Sequence, residues 1–178
     1  TLFAGLELSE RDLEVPTSFQ DESTSTTHIE HSNWREYLAR PYVFWAPHEW
    51  LALTAEYQYE RFDRDAGNLN FGFEEVTTHR VPLGLRFFHP CGLSFALKAT
   101  YFHQGGNFAR QGDCCESGNS EFWVIDSGIS YRLPRRYGFV AVGVTNLFDE
   151  HFKYQETDFN NPTIQPNRSF FTRLTFSF

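Results

Sequence analysis

The chain is 178 residues long, enough for one domain of useful size. Aromatic residues make up 18% of it, with 20 Phe and no Met, yet the mean hydropathy is −0.46. The net charge of −8 argues against a nucleic-acid partner, which selects a basic patch, and no run reaches the roughly 18 apolar residues of a membrane-spanning helix. Many aromatics in a polar chain instead fit a wall that shows alternate side chains to lipid and to water.

Period-2 alternation predicts eight strands. The first covers 1–15, with Leu2, Ala4, Leu6 and Leu8 opposite Phe3, Gly5, Glu7 and Ser9. The second covers 32–46, where Tyr37, Ala39, Pro41, Val43 and Trp45 share a face. The third, 50–62, sets Leu51, Leu53, Ala55, Tyr57 and Tyr59 against Thr54, Glu56 and Glu60. The fourth, 76–89, sets Val81, Leu83, Leu85 and Phe87 against Arg80, Pro82, Gly84 and Arg86. In the fifth, 92–102, Leu93, Phe95, Leu97, Ala99 and Tyr101 oppose Ser94, Ala96, Lys98 and Thr100. The sixth, 121–133, opposes Trp123, Ile125, Ile129 and Tyr131 to Asp126, Gly128, Ser130 and Arg132. The seventh, 138–154, carries Val140, Val142 and Val144 on one face. The eighth, 167–178, ends with Leu174, Phe176 and Phe178 on one face and Phe171, Arg173, Thr175 and Ser177 on the other. Proline removes a ladder donor, so Pro41 and Pro82 predict local bulges.

The links alternate in length. Those at 46–49, 89–92 and 134–138 are short and turn-like, whereas 16–31, 63–75, 104–120 and 155–166 read as long polar loops. Short turns on one side and long loops on the other are the pattern of a transmembrane β-barrel. Aromatics gather near both ends: Trp45, Trp50, Phe87, Phe88, Tyr131 and Tyr137 by the turns, Tyr57, Tyr59, Tyr101 and Trp123 by the loops. Two such belts bound an apolar band at membrane interfaces. A soluble β-sandwich shares the alternation but explains neither the loop lengths nor the terminal aromatic.

The polar face carries Glu56, Glu60, Arg80, Arg86, Lys98, Asp126, Arg132 and Arg173 as lumen-facing charges, expected to pair across strands or to line a solute path. Nothing marks a nucleophile with its base, so no enzyme and no cofactor is expected. His28-Ile29-Glu30-His31 offers two imidazoles and a carboxylate, but on a loop this spacing is unspecific and reads as solvated surface. Asp113–Glu116 reads the same way. Cys91 in a tight turn and the adjacent Cys114 and Cys115 form neither a disulfide framework nor a zinc spacing.

An alternating final strand with a terminal Phe resembles the ending of bacterial outer-membrane barrels, in which that residue is read by the barrel assembly machinery. Gly143-Val144-Thr145-Asn146-Leu147-Phe148-Asp149-Glu150-His151-Phe152 resembles the penultimate strand of TonB-dependent outer-membrane receptors, where V-x-N-L-F-D-x-x-Y is usual and Phe152 here replaces the Tyr. Pro166-Asn167-Arg168 resembles the family's step into the last strand, with Asn167 for the common Gly. The resemblance covers the last 40 residues or so and implies architecture at Asn146, Leu147, Phe148 and Asp149 rather than ligand contact.

The resemblance further implies an all-β, antiparallel transmembrane barrel, about eight strands of a larger cylinder, with residues 1–178 forming one barrel domain or fragment and no plug. It implies an outer-membrane location in a Gram-negative cell, a periplasmic C-terminus and extracellular loops. The implied partners are outer-membrane lipid, the TonB system through a further N-terminal region, and a small solute such as a ferric siderophore or cobalamin. A chain that starts inside a strand without a leader reads as a mature protein or a piece of a longer one. Two alternatives keep the barrel: the barrel domain of a polysaccharide-export porin linked to tetratricopeptide repeats, and a stand-alone eight-stranded structural or adhesion protein.

Overall fold

The computed structural model describes residues 1–20, 27–65, 72–110, 113–151 and 167–176. Nine strands form one antiparallel sheet: β1 (Leu2–Gln20), β2 (Thr27–His48), β3 (Leu51–Glu56), β4 (Gln58–Arg64), β5 (Gly72–Phe88), β6 (Leu93–Arg110), β7 (Asp113–Arg132), β8 (Gly138–Thr145) and β9 (Ser169–Phe176). They run as a meander, each strand beside its predecessor, with β3 and β4 end to end between β2 and β5. The sheet therefore has eight rows, with β1 and β9 at its edges. Among the described residues no helix is long and apolar enough to cross a membrane, which says nothing of a crossing by strands.

The two predicted bulges are not where the prolines lie. Leu6 pairs with Pro41 and Pro82 with Thr100 without a shift of register. The shifts fall instead between Trp45 and His48, Phe73 and Glu75, and Phe108 and Arg110. The prolines act on the strand between them. The registers of β2 and β5 place Pro41 opposite Tyr57 and Pro82 opposite Glu56, where β3 gives way to β4. Two neighbouring residues that lack an N–H leave this stretch short of ladder donors, so the predicted single third strand becomes two. One bond survives there, from the Tyr57 N–H to the Pro41 carbonyl at 3.0 Å.

Three predicted long loops are, among the described residues, mostly strand. β1 and β2 extend through much of 16–31, β5 begins at Gly72, and β6 and β7 close to a gap of two residues at 111–112. The fourth predicted loop, 155–166, lies outside the described residues. The extensions read as loops because they are polar; charges are matched across the strands that lead into them. Glu7 faces Arg40, Arg11 faces Glu36 and Asp12 faces Arg35 in register, with N···O separations of 2.6, 3.2 and 3.7 Å. Arg61 reaches Asp63 at 3.0 Å and Glu75 at 3.2 Å. Exposed opposite-charge pairs are each worth only a few tenths of a kcal/mol, but they favour one register and remove the like-charge repulsion of a wrong one.

The predicted short turns hold. Gly92, at φ 94°, closes the β5–β6 hairpin by donating to the His89 carbonyl at 2.9 Å. A single 3-10 turn, Pro134–Arg136, links β7 to β8, and the Leu133 N–H meets the Gly138 carbonyl at 2.9 Å.

Candidate functional site

Register divides the strands into two chemically distinct faces, because residues paired across a ladder point the same way. One face, here the outer, runs Leu6, Val43, Leu53, Leu85, Leu97, Ile129, Val142 and Leu174 across the sheet. Nothing covers it among the described residues. Leu6 is 63% exposed, Ile129 54% and Leu174 59%. Tyr57, Tyr101 and Trp123 end this apolar field on the hairpin side, with the Tyr101 and Trp123 rings 5.2 Å apart. One level further come Tyr59, His79, His103 and Glu121. The Tyr57 hydroxyl lies 2.7 Å from His79 Nδ1, and His103 Nδ1 lies 2.9 Å from Glu121 Oε1. At the turn side Trp45, Phe87 and Tyr131 belong to the outer face as expected, but Phe88 does not: it pairs with Ser94 on the other face.

Among the described side chains of the strands, every buried one lies on the inner face, including Phe62, Val76, Phe102, Phe122 and Val124. Phe102 and Phe122 stack at 4.8 Å, and Trp34 meets Phe62 edge-on at 5.5 Å. Burial on one face only means that the sheet curls toward it. A groove of about 730 Å³ spans it, lined from Phe44 of β2 to Phe171 of β9.

The eight charged residues expected on one wall, Glu56, Glu60, Arg80, Arg86, Lys98, Asp126, Arg132 and Arg173, all lie on this inner face. The expected cross-strand pairing among them is not what most of them do. Arg80 stacks its guanidinium over Phe102 at 5.3 Å. Lys98 stands opposite Asp126 in register, but the Asp126 carboxylate accepts the Asn146 N–H at 3.0 Å. Arg86, Arg132 and Arg173 have no acidic partner among the described residues. In the hairpins, the bond to Asp63 raises the Arg61 pKa, whereas burial lowers that of Arg64.

Asn146, Leu147, Phe148 and Asp149 form a latch that ends β8 rather than continuing it. Asn146 and Asp149 take positive φ of 49° and 58°, a region Asn and Asp tolerate better than other non-glycine residues. The Asn146 amide donates to the Glu150 carbonyl at 2.9 Å and accepts the Glu150 N–H at 2.8 Å. The Leu147 N–H reaches back to the Ile125 carbonyl at 2.7 Å. The Asp149 carboxylate accepts the Arg168 N–H at 2.8 Å, tying the latch to the start of β9. Asn146 is 2% exposed. Asn146→Ala is expected to cost about 2–3 kcal/mol, from two lost bonds and a strained φ. Asn146→Gly is expected to recover about 1 kcal/mol of that by relieving φ alone. Urea unfolding of detergent-folded protein, followed by Trp fluorescence, measures both.

Of the predicted closing residues, Leu174 and Phe176 lie on the outer face, and Phe178 lies outside the described residues. Residues 28–31 belong to β2, where positions 28 and 31 fall on opposite faces, and His31 Nδ1 sits 3.1 Å from Glu14. Residues 113–116 likewise belong to β7. No group of three His, Cys, Asp or Glu side chains is disposed to hold a metal among the described residues. The sequence did not reveal the second roles of Asp126 and Arg168, since each depends on a partner about 20 residues away. No protein-family model, curated protein or solved structure matches the chain.

Proposed function

We propose that this sheet is part of the wall of an outer-membrane β-barrel, with the outer face against lipid and the inner face toward the lumen. The observation that carries the reading is the uncovered apolar face. On β6 it extends from Leu93 to Tyr101, roughly 27 Å at about 3.4 Å per residue, close to the ~25 Å band of membrane barrels. Eight rows about 4.8 Å apart make it some 34 Å wide, so the field covers roughly 900 Å². The largest apolar patch of a soluble monomer is typically about 300–600 Å². The aromatic row above it and the polar hairpins beyond match an interface and its outer side.

In this reading the short turns and the C-terminus are periplasmic and the long hairpins extracellular. The edge strands favour a larger cylinder over closure of these eight rows alone: β1 offers an edge of 19 residues and β9 one of 8. With the resemblance of the Asn146–Asp149 segment, this supports the C-terminal wall of a TonB-dependent-receptor-like transporter for a ferric siderophore, cobalamin or a similar solute. Catalysis has no part in it. Refolded into detergent with the rest of its cylinder, so that the barrel closes, the protein is expected to give heat-modifiable migration on a gel. A monodisperse, soluble monomer without detergent would overturn the membrane reading.

A further inference from the structure

The acidic net charge conceals an uneven distribution. Many of the acids stand in the hairpins, where Glu36, Asp12, Asp63 and Glu75 are engaged by Arg11, Arg35 and Arg61. At the turn end of the inner face the balance reverses. A cavity of about 740 Å³ opens there between Arg86 on β5 and Arg132 on β7, with Glu49 the one acid in its lining. Its floor is made of small residues: Ser94, Ala96, Gly128, Ser130 and Ala141. They are aligned across β6, β7 and β8 by the ladder, and Ser94 and Ser130 share a hydrogen bond at 2.6 Å. Phe88, Phe139 and Phe171 also line it. Arg173 on β9 stands opposite Ala141, next to the floor.

We propose that this trough binds a small organic anion, one with two or more carboxylate or phosphate groups on a flat apolar body. Three features combine. The volume falls within the roughly 300–1,000 Å³ of small-molecule sites. Arg86 and Arg132 stand two strand spacings and four residues apart, about 17 Å between backbones, which two extended guanidinium side chains narrow to a ligand a few ångströms wide. Guanidinium groups without carboxylate partners are free to take bidentate anions, and a floor without bulky side chains lets a flat body lie between aromatic walls. The proposal rests on the barrel-wall reading and names the class of solute its inner face takes.

The test uses the full chain folded in neutral detergent and benzene-1,3,5-tricarboxylate as the probe, measured by isothermal titration calorimetry at low salt. Saturable binding is expected. It should weaken at least tenfold in the Arg86→Gln/Arg132→Gln double variant and recover in part in Arg86→Lys/Arg132→Lys. The neutral benzene-1,3,5-trimethanol should not bind. Heat-modifiable migration, read on every variant, reports the fold and the membrane reading independently. A heat-modifiable chain that ignores the tricarboxylate overturns the trough and leaves the barrel standing. Equal binding by the neutral analogue, or by the double glutamine variant, overturns it as well. Binding of polyglutamate but not of the tricarboxylate would assign the trough to an acidic protein segment and overturn the small-anion proposal.

Discussion

Leu97→Arg is expected to block assembly into a bilayer, whereas Thr54→Arg is expected to leave assembly nearly intact. The two positions lie on adjacent levels of the same sheet, but Leu97 is at the middle of the apolar field and Thr54 is on the inner face. An arginine at the lipid midplane of a barrel costs about 2–4 kcal/mol, and the same side chain on a watered face costs far less. At position 54 the new side chain has room, because it stands opposite Gly84, which has none. The measurement is folding into lipid vesicles, read by heat-modifiable migration and by protection from trypsin. If Thr54→Arg fails and Leu97→Arg folds, the faces are assigned the wrong way round. If both fold equally well, lipid does not contact this sheet.

The second large effect is expected at Gly138, where β8 begins. Its φ is 133°, a region L side chains rarely adopt, and a Cβ there would overlap the Thr175 carbonyl oxygen and crowd the Phe176 backbone. Gly138→Ala therefore asks backbone, not a side chain, to move. The expected cost is more than about 3 kcal/mol, concentrated on the β8–β9 pairing that begins with Gly138 opposite Phe176. Gly143 is the comparison. A Cβ there would meet the far end of the Phe171 ring, which can swing aside, so Gly143→Ala should cost only about 1 kcal/mol. Urea midpoints of the two variants in detergent test the difference. Equal midpoints would mean that the last hairpin does not depend on the close approach at 138.

What could be read from the sequence was what repeats locally. Leu93, Phe95, Leu97, Ala99 and Tyr101 announce a two-faced strand without reference to any other segment, and the eight inner-face charges follow from the same period. What could not be read was whatever depends on a distant partner. Pro16 to Gln20 look like the start of a loop until His31 to Thr27 stand opposite them. Pro41 and Pro82 each predict a defect in their own strand; only the register shows that both face one place in the strand between them. Asp126 reads as a wall charge, and its bond to the Asn146 N–H appears only once β7 and the latch are side by side. The two faces of the sheet were thus legible in outline, and the division of labour on the inner one was not.

The double tie at the end of β8 bears on how such a protein can diversify. Asn146 clamps Glu150 on one side, and Asp149 holds Arg168 on the other, 19 positions downstream. The entry to and the exit from the intervening stretch are therefore fixed to each other independently of what lies between. Lengthening a loop whose ends are already joined adds little closure entropy, about 0.6 kcal/mol per doubling. Evolution is free to rewrite that stretch, by insertion or wholesale replacement, while the last two strands keep their register.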